Sequence, residues 1–179
     1  MEKRVKDIMI PVEGYPTVQV ETTVKEVVAL LAAAALREPG PGMDLAVVMD
    51  RNTMVGTIGL NEIIQALDPA VLKAGIYRGW TIAADMAQPV FLRGLFTEKC
   101  SSLAGTPARE MMRPLARQLD GGDTLIKAVH VALKNGLDHV PVWQNDRVVG
   151  ILGRKEIFNE VVSIQLSQKE TGRKKQTAV

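Results

Sequence analysis

The chain has 179 residues, of which 46% are hydrophobic and 23% charged, so it can bury a core and is not broadly disordered. This length suits one domain or two small ones. The formal net charge is +2, but the segment 167–179 alone carries +3 and leaves the remainder at −1, which argues against a nucleic-acid-binding surface on the folded body.

The cysteine count and the hydropathy of the chain argue against a disulfide-bonded protein and against a membrane protein. Cys100 is the only cysteine, so no disulfide can form within the chain. The stretch 1–9 is charged with no apolar segment behind it, and no apolar run approaches the roughly 18 residues of a membrane span. We therefore expect a cytoplasmic protein that contacts neither membrane nor nucleic acid.

One sequence pattern occurs twice. The stretch MVGTIGLNEI at 54–63 returns as VVGILGRKEI at 148–157. Three further pairs match in the same order, namely VKDIMIP (5–11) with AREMMRP (108–114), TTVKEVVALL (22–31) with DTLIKAVHVA (123–132), and DLAVVMDRN (44–52) with DHVPVWQND (138–146). A repeat of this length indicates two copies of one supersecondary unit, each too small to bury its apolar face alone.

In the first copy, an extended lead-in precedes a helix, two strands and a second helix. Thr23 and Glu26 form a capping box, which predicts a helix that runs through Leu36. The Pro/Gly-rich stretch 37–43 predicts an irregular loop. Two apolar strands, AVVM and MVGTI, flank the polar turn DRN and predict a hairpin, and the second helix begins near Leu60.

The second copy predicts the same elements. Asp123 is placed to cap its first helix, and the pair Asn135-Gly136 ends that helix. The strands HVPVW and RVVGIL flank the turn QND and predict a second hairpin. The second helix begins near Arg154.

The segment 68–107 between the copies has no counterpart in the repeat. Its apolar spacing is helical in AVLKAGI, TIAADMA and VFLRGLF. Two interpretations are open: a helical connector packed on its own core, or an exposed apolar surface for a partner or a second subunit. The segment holds four of the seven aromatic residues of the chain, namely Tyr77, Trp80, Phe91 and Phe96.

The ordered set of motifs resembles the CBS domain, the family named after cystathionine beta-synthase. The set comprises the D-I-M or E-M-M lead-in with its proline, the capped helix, the HVPV strand, the Asn-Asp turn and the VVGI strand that runs into a helix. The resemblance implies an α+β fold of tandem CBS domains, each helix-strand-strand-helix with an extended lead-in, paired about a pseudo-twofold axis. The expected organisation is a first CBS repeat at 1–67, a helical connector at 68–107, a second repeat at 108–162 and a polar basic tail at 163–179.

The resemblance also implies a function. CBS pairs are regulatory modules that bind an adenosine compound such as AMP, ADP, ATP or S-adenosylmethionine in clefts between the repeats, form homodimers and signal to a regulated partner. They have no catalytic residues of their own. The residues of this chain likewise favour neither an enzyme nor a metal site, because His130 and His139 are the only histidines and neither has metal-ligand spacing around it.

The chain departs from the family's ligand motif in both copies. In many CBS domains the glycine of the last strand is followed, three and six residues on, by Thr or Ser and by Asp, which hold the ribose. Gly59 and Glu62 stand at those positions in the first copy, and Gly153 and Glu156 in the second. Each glutamate has two open interpretations: a contact to ribose hydroxyls, or a cap on the helix start, where a carboxylate reaches free backbone N–H groups.

The copies also differ in charge at matched positions. If one site takes a phosphate, we expect it in the second copy, because cations there add to the helix N–H donors. Solvated surface arginines are the alternative. The residues Arg113, Arg147, Arg154 and Lys155 of the second copy replace Ile10, Thr53, Leu60 and Asn61 of the first.

Two hypotheses about function follow. The first is a sensor of an adenosine-type ligand, and the second is a ligand-free pair that works as a dimerisation or interaction module through its aromatic connector. The HVPV motif adds His139 and Pro141 to the candidate site, with a structural role as the alternative for His139. The full candidate set is Gly59, Glu62, Arg113, His139, Pro141, Gly153, Arg154, Lys155 and Glu156.

Overall fold

Two four-stranded sheets organise the chain, one in each of two compact units. The first unit spans Tyr15–Pro114, and the second unit joins Met1–Gly14 to Leu115–Val179. This computed structural model describes residues 2–37, 44–68 and 94–176. The predicted loop lies outside those residues apart from its first position, and so do the aromatic residues Tyr77, Trp80 and Phe91 of the connector.

The elements follow the predicted order in both copies. Up to residue 68 they are a 3₁₀ turn (Val5–Asp7), β1 (Ile10–Pro11), a second 3₁₀ turn (Val12–Gly14), β2 (Thr17–Gln19), α1 (Val24–Arg37), β3 (Leu45–Asp50), β4 (Thr53–Gly59) and α2 (Leu60–Leu67). From residue 94 they are α3 (Leu95–Leu103), α4 (Ala108–Met111), β5 (Arg113–Pro114), β6 (Leu119–Asp120), α5 (Leu125–Lys134), β7 (His139–Gln144), β8 (Arg147–Gly153) and α6 (Arg154–Gln176).

The two sheets have the same strand order. The first unit contains β2-β3-β4-β5, and the second contains β6-β7-β8-β1. At the centre of each sheet lies an antiparallel hairpin, β3 with β4 or β7 with β8, as the sequence predicts. The strand before each hairpin pairs with it in parallel, and a two-residue strand pairs antiparallel at the other edge.

The two-residue edge strands come from the other copy of the repeat. The lead-in of the first copy supplies β1 to the second unit, where Pro11 lies opposite Gly150. The lead-in of the second copy supplies β5 to the first unit, where Pro114 lies opposite Gly56. Each lead-in also contains a helical turn, which is more structure than the predicted extended segment. The compact units are therefore bounded at different positions from the repeats.

A glycine in each hairpin lets the edge strand approach closely. A Cβ atom on Gly150 would lie 2.7 Å from the carbonyl oxygen of Ile10 and 2.7 Å from the sulfur of Met9. A Cβ atom on Gly56 would lie 2.7 Å from the carbonyl oxygen of Arg113 and 2.8 Å from the sulfur of Met112. Since carbon and oxygen atoms do not pack at such distances, only glycine fits beneath either edge strand.

Both hairpins turn at the positions that the sequence predicts. Asn145 and Asp146 have φ of 48° and 60°, which is the backbone of the two-residue turns that match the right-handed twist of strands. Arg51 has φ of 55° in the first hairpin. The pairing register shifts once in each hairpin, after Val48 and after Val142. The two hairpins therefore have the same register shift at matched positions.

Each unit has its own apolar core. Each core packs one face of the hairpin against the helix that precedes it, as the helical and strand periodicities require. The buried residues that form the core cluster of the first unit are Val18, Val27, Leu31, Ala46, Val48, Ile58 and Ala108. In the second unit they are Val5, Leu119, Ala128, Ala132, Leu137, Val140, Val142 and Leu152.

The predicted helix signals are confirmed in two places. At the start of α1, the Thr23 N–H donates to the Glu26 carboxylate at 2.8 Å, and the Glu26 N–H donates to the Thr23 hydroxyl at 3.4 Å. The hydrogen bonds from the Thr23 backbone and hydroxyl lower the pKa of the Glu26 carboxyl. At the end of α5, Asn135 is the C-cap and Gly136 follows with a φ of 59°, so the helix ends at the Asn-Gly pair that the sequence predicts.

The predicted cap of α5 is wrong by one residue. The cap is Thr124, whose hydroxyl accepts from the Lys127 N–H at 3.4 Å. The Asp123 carboxylate accepts instead from the Asp120 N–H at 2.8 Å and from the Lys127 ammonium at 2.6 Å. Burial raises the pKa of the Asp123 carboxyl, but these two hydrogen bonds outweigh it and leave the pKa below its ordinary value. Asp123 thus closes the turn before the helix.

One helix lies in the described part of the connector, and another runs through most of the predicted tail. In the connector, α3 carries Phe96, whose side chain is 70% exposed. The helix α6 continues to Gln176, through most of the segment 163–179 that the sequence predicts as a polar tail.

We expect Gly150→Ala to destabilise the protein by about 1–3 kcal/mol, because the added methyl group would overlap the Ile10 carbonyl and force the edge strand away. Gly122→Ala is the matched control, since nothing lies within 4 Å of a Cβ atom there. Urea unfolding of both variants measures the difference. Equal stabilities would show that the edge strand is not held as described.

We expect Asp123→Asn to cost about 1 kcal/mol at pH 7, because the charged acceptor is lost from both hydrogen bonds. The pKa of the folded state is lowered, so this stabilisation is present above the ordinary aspartate pKa and is lost as the pH falls through the folded value. The gap between wild type and variant in urea unfolding should therefore narrow below about pH 4. An unchanged gap at pH 3 would contradict the assignment.

Candidate ligand-binding site

The candidate glutamates lie where a strand runs directly into a helix, β4 into α2 and β8 into α6. Glu62 Oε2 accepts from the Gly59 N–H at 3.1 Å, and Glu156 Oε2 accepts from the Gly153 N–H at 3.0 Å. Both glutamates therefore cap their own helices, which was one of their two interpretations. The cap uses one carboxylate oxygen and leaves Oε1 for another partner.

The glycines at these junctions stand in confined space. A Cβ atom on Gly59 would lie 2.5 Å from the carbonyl oxygen of Asp44. A Cβ atom on Gly153 would lie 2.4 Å from Glu156 Oε2 and 3.3 Å from the imidazole of His139. A threonine at either position would have to displace these neighbours, and at Gly153 the nearest neighbour is the capping glutamate itself.

The two junctions differ in what holds the second carboxylate oxygen. In the first unit, Arg113 Nε donates to Glu62 Oε1 at 3.0 Å, and the two side chains are 35% and 11% exposed. The repeat assigns Arg113 to the second copy, but β5 places it at the glutamate of the first unit. Both oxygens of Glu62 thus have a partner within the protein.

Among the residues that the structure describes, no cation is bonded to Glu156. Ile10 occupies the position in β1 that Arg113 occupies in β5, because the two edge strands pair in the same register. Within the part of the chain that the structure describes, no donor reaches Glu156 Oε1, and the residue is partly exposed. The second unit therefore presents an oriented carboxylate with one open oxygen at the start of a helix.

The two cations that begin α6 have different surroundings. Arg154 Nε donates to the Leu137 carbonyl at 3.0 Å, and its guanidinium lies 3.2 Å from the Asp138 carboxylate. Lys155 is exposed, and within the described residues it forms neither a hydrogen bond nor an ion pair. Lys155 is thus the available cation of the two.

Asp138 is a site residue that the sequence reasoning missed. Besides its ion pair with Arg154, its carbonyl accepts the Arg154 N–H at 3.0 Å, and the Asp44 carbonyl accepts the Leu60 N–H at 3.1 Å in the first unit. The signal was the aspartate that precedes the first strand of both hairpins, which the repeat aligns. In each copy this residue ties the strand start to the helix start.

His139 and Pro141 give the second unit an accessible surface beside the junction. Both are partly exposed, and His139 lies opposite Gly153 in the hairpin. The matched residues of the first unit, Leu45 and Val47, are only 2% and 1% exposed. The second unit therefore brings together an open carboxylate, a free ammonium group and an accessible strand face, whereas the first unit does not.

Other kinds of site have little support in residues 2–37, 44–68 and 94–176. No group of three or more histidine, cysteine or acidic side chains there could hold a metal ion. Cys100 is a free, exposed thiol on α3. None of the helices in these ranges combines the length and the apolar character needed to cross a membrane.

Comparisons with known proteins agree with this architecture. Residues 108–163 match the family model of the CBS domain. The CBS-pair protein CBSX2 from Arabidopsis thaliana superimposes with a TM-score of 0.61 at 20% identity, over 92% of this chain and 98% of that one. CBSX2 in complex with AMP superimposes with a TM-score of 0.59 at 18% identity, over 91% of this chain and 98% of that one.

A CBS-domain containing protein from Agrobacterium tumefaciens gives a TM-score of 0.58 at 16% identity, over 89% of this chain and 93% of that one. Among curated proteins, none is significantly similar to this chain in sequence. The chain therefore contains a CBS domain at residues 108–163 and has the α+β fold of the CBS-pair proteins. The predicted fold class is confirmed, and the predicted resemblance to the CBS domain is confirmed at residues 108–163.

Proposed function

We propose that this protein is a regulatory module that binds an adenosine-type nucleotide at the β8–α6 junction of its second unit and signals to a protein partner. The open Oε1 of Glu156 carries the proposal, because an oriented carboxylate oxygen at a partly exposed helix start can accept a hydrogen bond from a ligand. The fold supports the choice of ligand, since CBSX2, a protein of the same fold, has been crystallised in complex with AMP.

In this proposal, Glu156 binds the ribose. The two vicinal hydroxyls of a ribose donate hydrogen bonds, and a carboxylate oxygen accepts them. The bond between Glu156 Oε2 and the Gly153 N–H already holds the side chain in one orientation, so little rotamer freedom remains to be lost on binding. The capping role and the ribose contact are therefore compatible, one on each oxygen.

In this proposal, Lys155 binds the phosphate, and His139 and Pro141 contact the base. Lys155 is exposed and unpaired within the described residues, and it lies in the first turn of α6, where backbone N–H groups also favour an anion. Arg154 would have to leave Asp138 to assist. The partly exposed His139 and Pro141 offer a surface for the base. Binding by these groups involves no chemical step, so the protein works as a sensor and not as an enzyme.

We expect AMP to bind, and Lys155→Ala to weaken AMP binding about tenfold, because the variant loses one charge-assisted contact to the phosphate. Adenosine, which lacks the phosphate, should bind both proteins equally. Asn61→Ala, at the matched position of the first unit, is the control and should leave the affinity for AMP unchanged. Isothermal titration calorimetry measures all three proteins.

A panel of AMP, ADP, ATP and S-adenosylmethionine tests the ligand class itself. A ligand present at 100 times its dissociation constant stabilises the folded state by about 2.7 kcal/mol, which a thermal shift assay detects readily. Flat thermal shifts with all four compounds at millimolar concentration would falsify the sensor proposal.

A second function, homodimerisation, is supported by the exposed apolar face of α5 and α6. Five large apolar side chains, namely Ile126, Leu133, Phe158, Val161 and Ile164, are 48–73% exposed there. A groove between the two helices adds Val129, Ala132 and Ile157. An exposed apolar surface of this extent is typical of an interface, and two copies of one face can pair about a twofold axis.

We expect the wild-type protein to be a dimer and Phe158→Asp to be a monomer, because the charge would be buried without a partner in the interface. Phe96→Asp on α3 replaces an equally exposed phenylalanine and should leave the dimer intact. Light scattering after size-exclusion chromatography measures the mass. A monomer from Phe96→Asp alone would place the interface on the aromatic connector instead.

A further inference from the structure

Arg113 distinguishes the first unit from the second at one defined position. The two edge strands pair in the same register, so Arg113 opposite Thr57 corresponds to Ile10 opposite Ile151. Both glutamates form the same bond from Oε2 to the glycine N–H. The guanidinium therefore accounts for the difference between a carboxylate with two partners and a carboxylate with one, although the surroundings of the two junctions also differ at residues 139, 141, 154 and 155.

The guanidinium lies at the atom where a ribose would bind. Arg113 Nε is 3.0 Å from Glu62 Oε1, the oxygen that corresponds to the open oxygen of Glu156. Glu62 is only 11% exposed, so a ligand hydroxyl could reach this oxygen only after the arginine moved away. The Arg113 bond joins two opposite charges, so a neutral ribose hydroxyl would have to break an ion pair to reach Glu62 Oε1.

We propose that Arg113 is an internal substitute for the ligand in the first unit: its bond to Glu62 keeps that unit empty, and each chain binds one nucleotide. The inference deepens the proposed function, because it assumes the same mode of ribose binding. It makes the repeat functionally asymmetric, with a sensing second unit and a first unit whose corresponding position is closed by the chain itself.

The replacement Arg113→Ile tests the proposal, because it gives the first unit the residue that the second unit has at the same position. Titration of the wild type with AMP should give one site per chain, and Glu156→Gln should weaken that site at least tenfold. Arg113→Ile should gain a second, weaker site, since Leu45 and Val47 leave less accessible surface than His139 and Pro141. The double variant Arg113→Ile, Glu156→Gln should retain only the gained site.

Each result of the titration decides between the proposals. Two sites in the wild type, or one site in both the wild type and Arg113→Ile, would overturn the role of Arg113 and leave the sensor function standing. No site in the wild type but one in Arg113→Ile would overturn the assignment of the ligand to Glu156 and uphold the role of Arg113. No site in either protein would overturn both.

Folding of the variants is checked separately. Urea unfolding and circular dichroism show whether Arg113→Ile retains the native sheet. Arg113→Gln provides a second test that keeps a polar side chain of similar length and removes the charge. If Arg113→Ile does not fold, gain of the second site in Arg113→Gln upholds the proposal, and its absence there overturns it.

Discussion

The close crossing of a two-residue strand over a glycine is the constraint on which each unit of this protein depends. Ile10–Pro11 crosses Gly150, and Arg113–Pro114 crosses Gly56, with a backbone oxygen 2.7 Å from where a Cβ atom would stand. The crossing completes each sheet with a segment that lies far away along the chain. The lead-in of each copy of the repeat therefore supplies the edge strand of the sheet that contains the other copy's hairpin.

This exchange also decides the chemistry of the two junctions. An edge strand brings residue 10 to the second unit and residue 113 to the first, so the charge difference between the copies appears at the opposite glutamate from the one that the repeat suggests. The arginine then neutralises Glu62, and Glu156 keeps an open oxygen. Both glutamates form the same capping bond, and the second oxygen, paired in the first unit and open in the second, distinguishes a closed position from a candidate site.

Local sequence signals were sufficient wherever a few neighbouring residues determine the geometry. The Thr23–Glu26 box, the Asn-Asp turn and the Asn135-Gly136 stop all lie within one turn of chain, and the structure confirms them. The cap of α5 was misassigned because Asp123 and Thr124 are both good acceptors, and the choice between them depends on Asp120 and Lys127. The ion pair between Asp138 and Arg154 was missed because the two residues are sixteen positions apart.

By itself the sequence determined that two copies of a helix, hairpin and helix unit exist, and that both have a glycine and a glutamate at matched positions of the strand–helix junction. Those properties follow from periodicity, turn chemistry and internal comparison, all of which a single chain displays. That these residues depart from a threonine and an aspartate followed only from the resemblance to the CBS domain. The tertiary structure decided which lead-in completes which sheet and which glutamate remains open. Those outcomes depend on contacts between residues about fifty to one hundred and forty positions apart, such as Arg113 with Glu62 and Ile10 with Ile151, and no local pattern specifies such contacts.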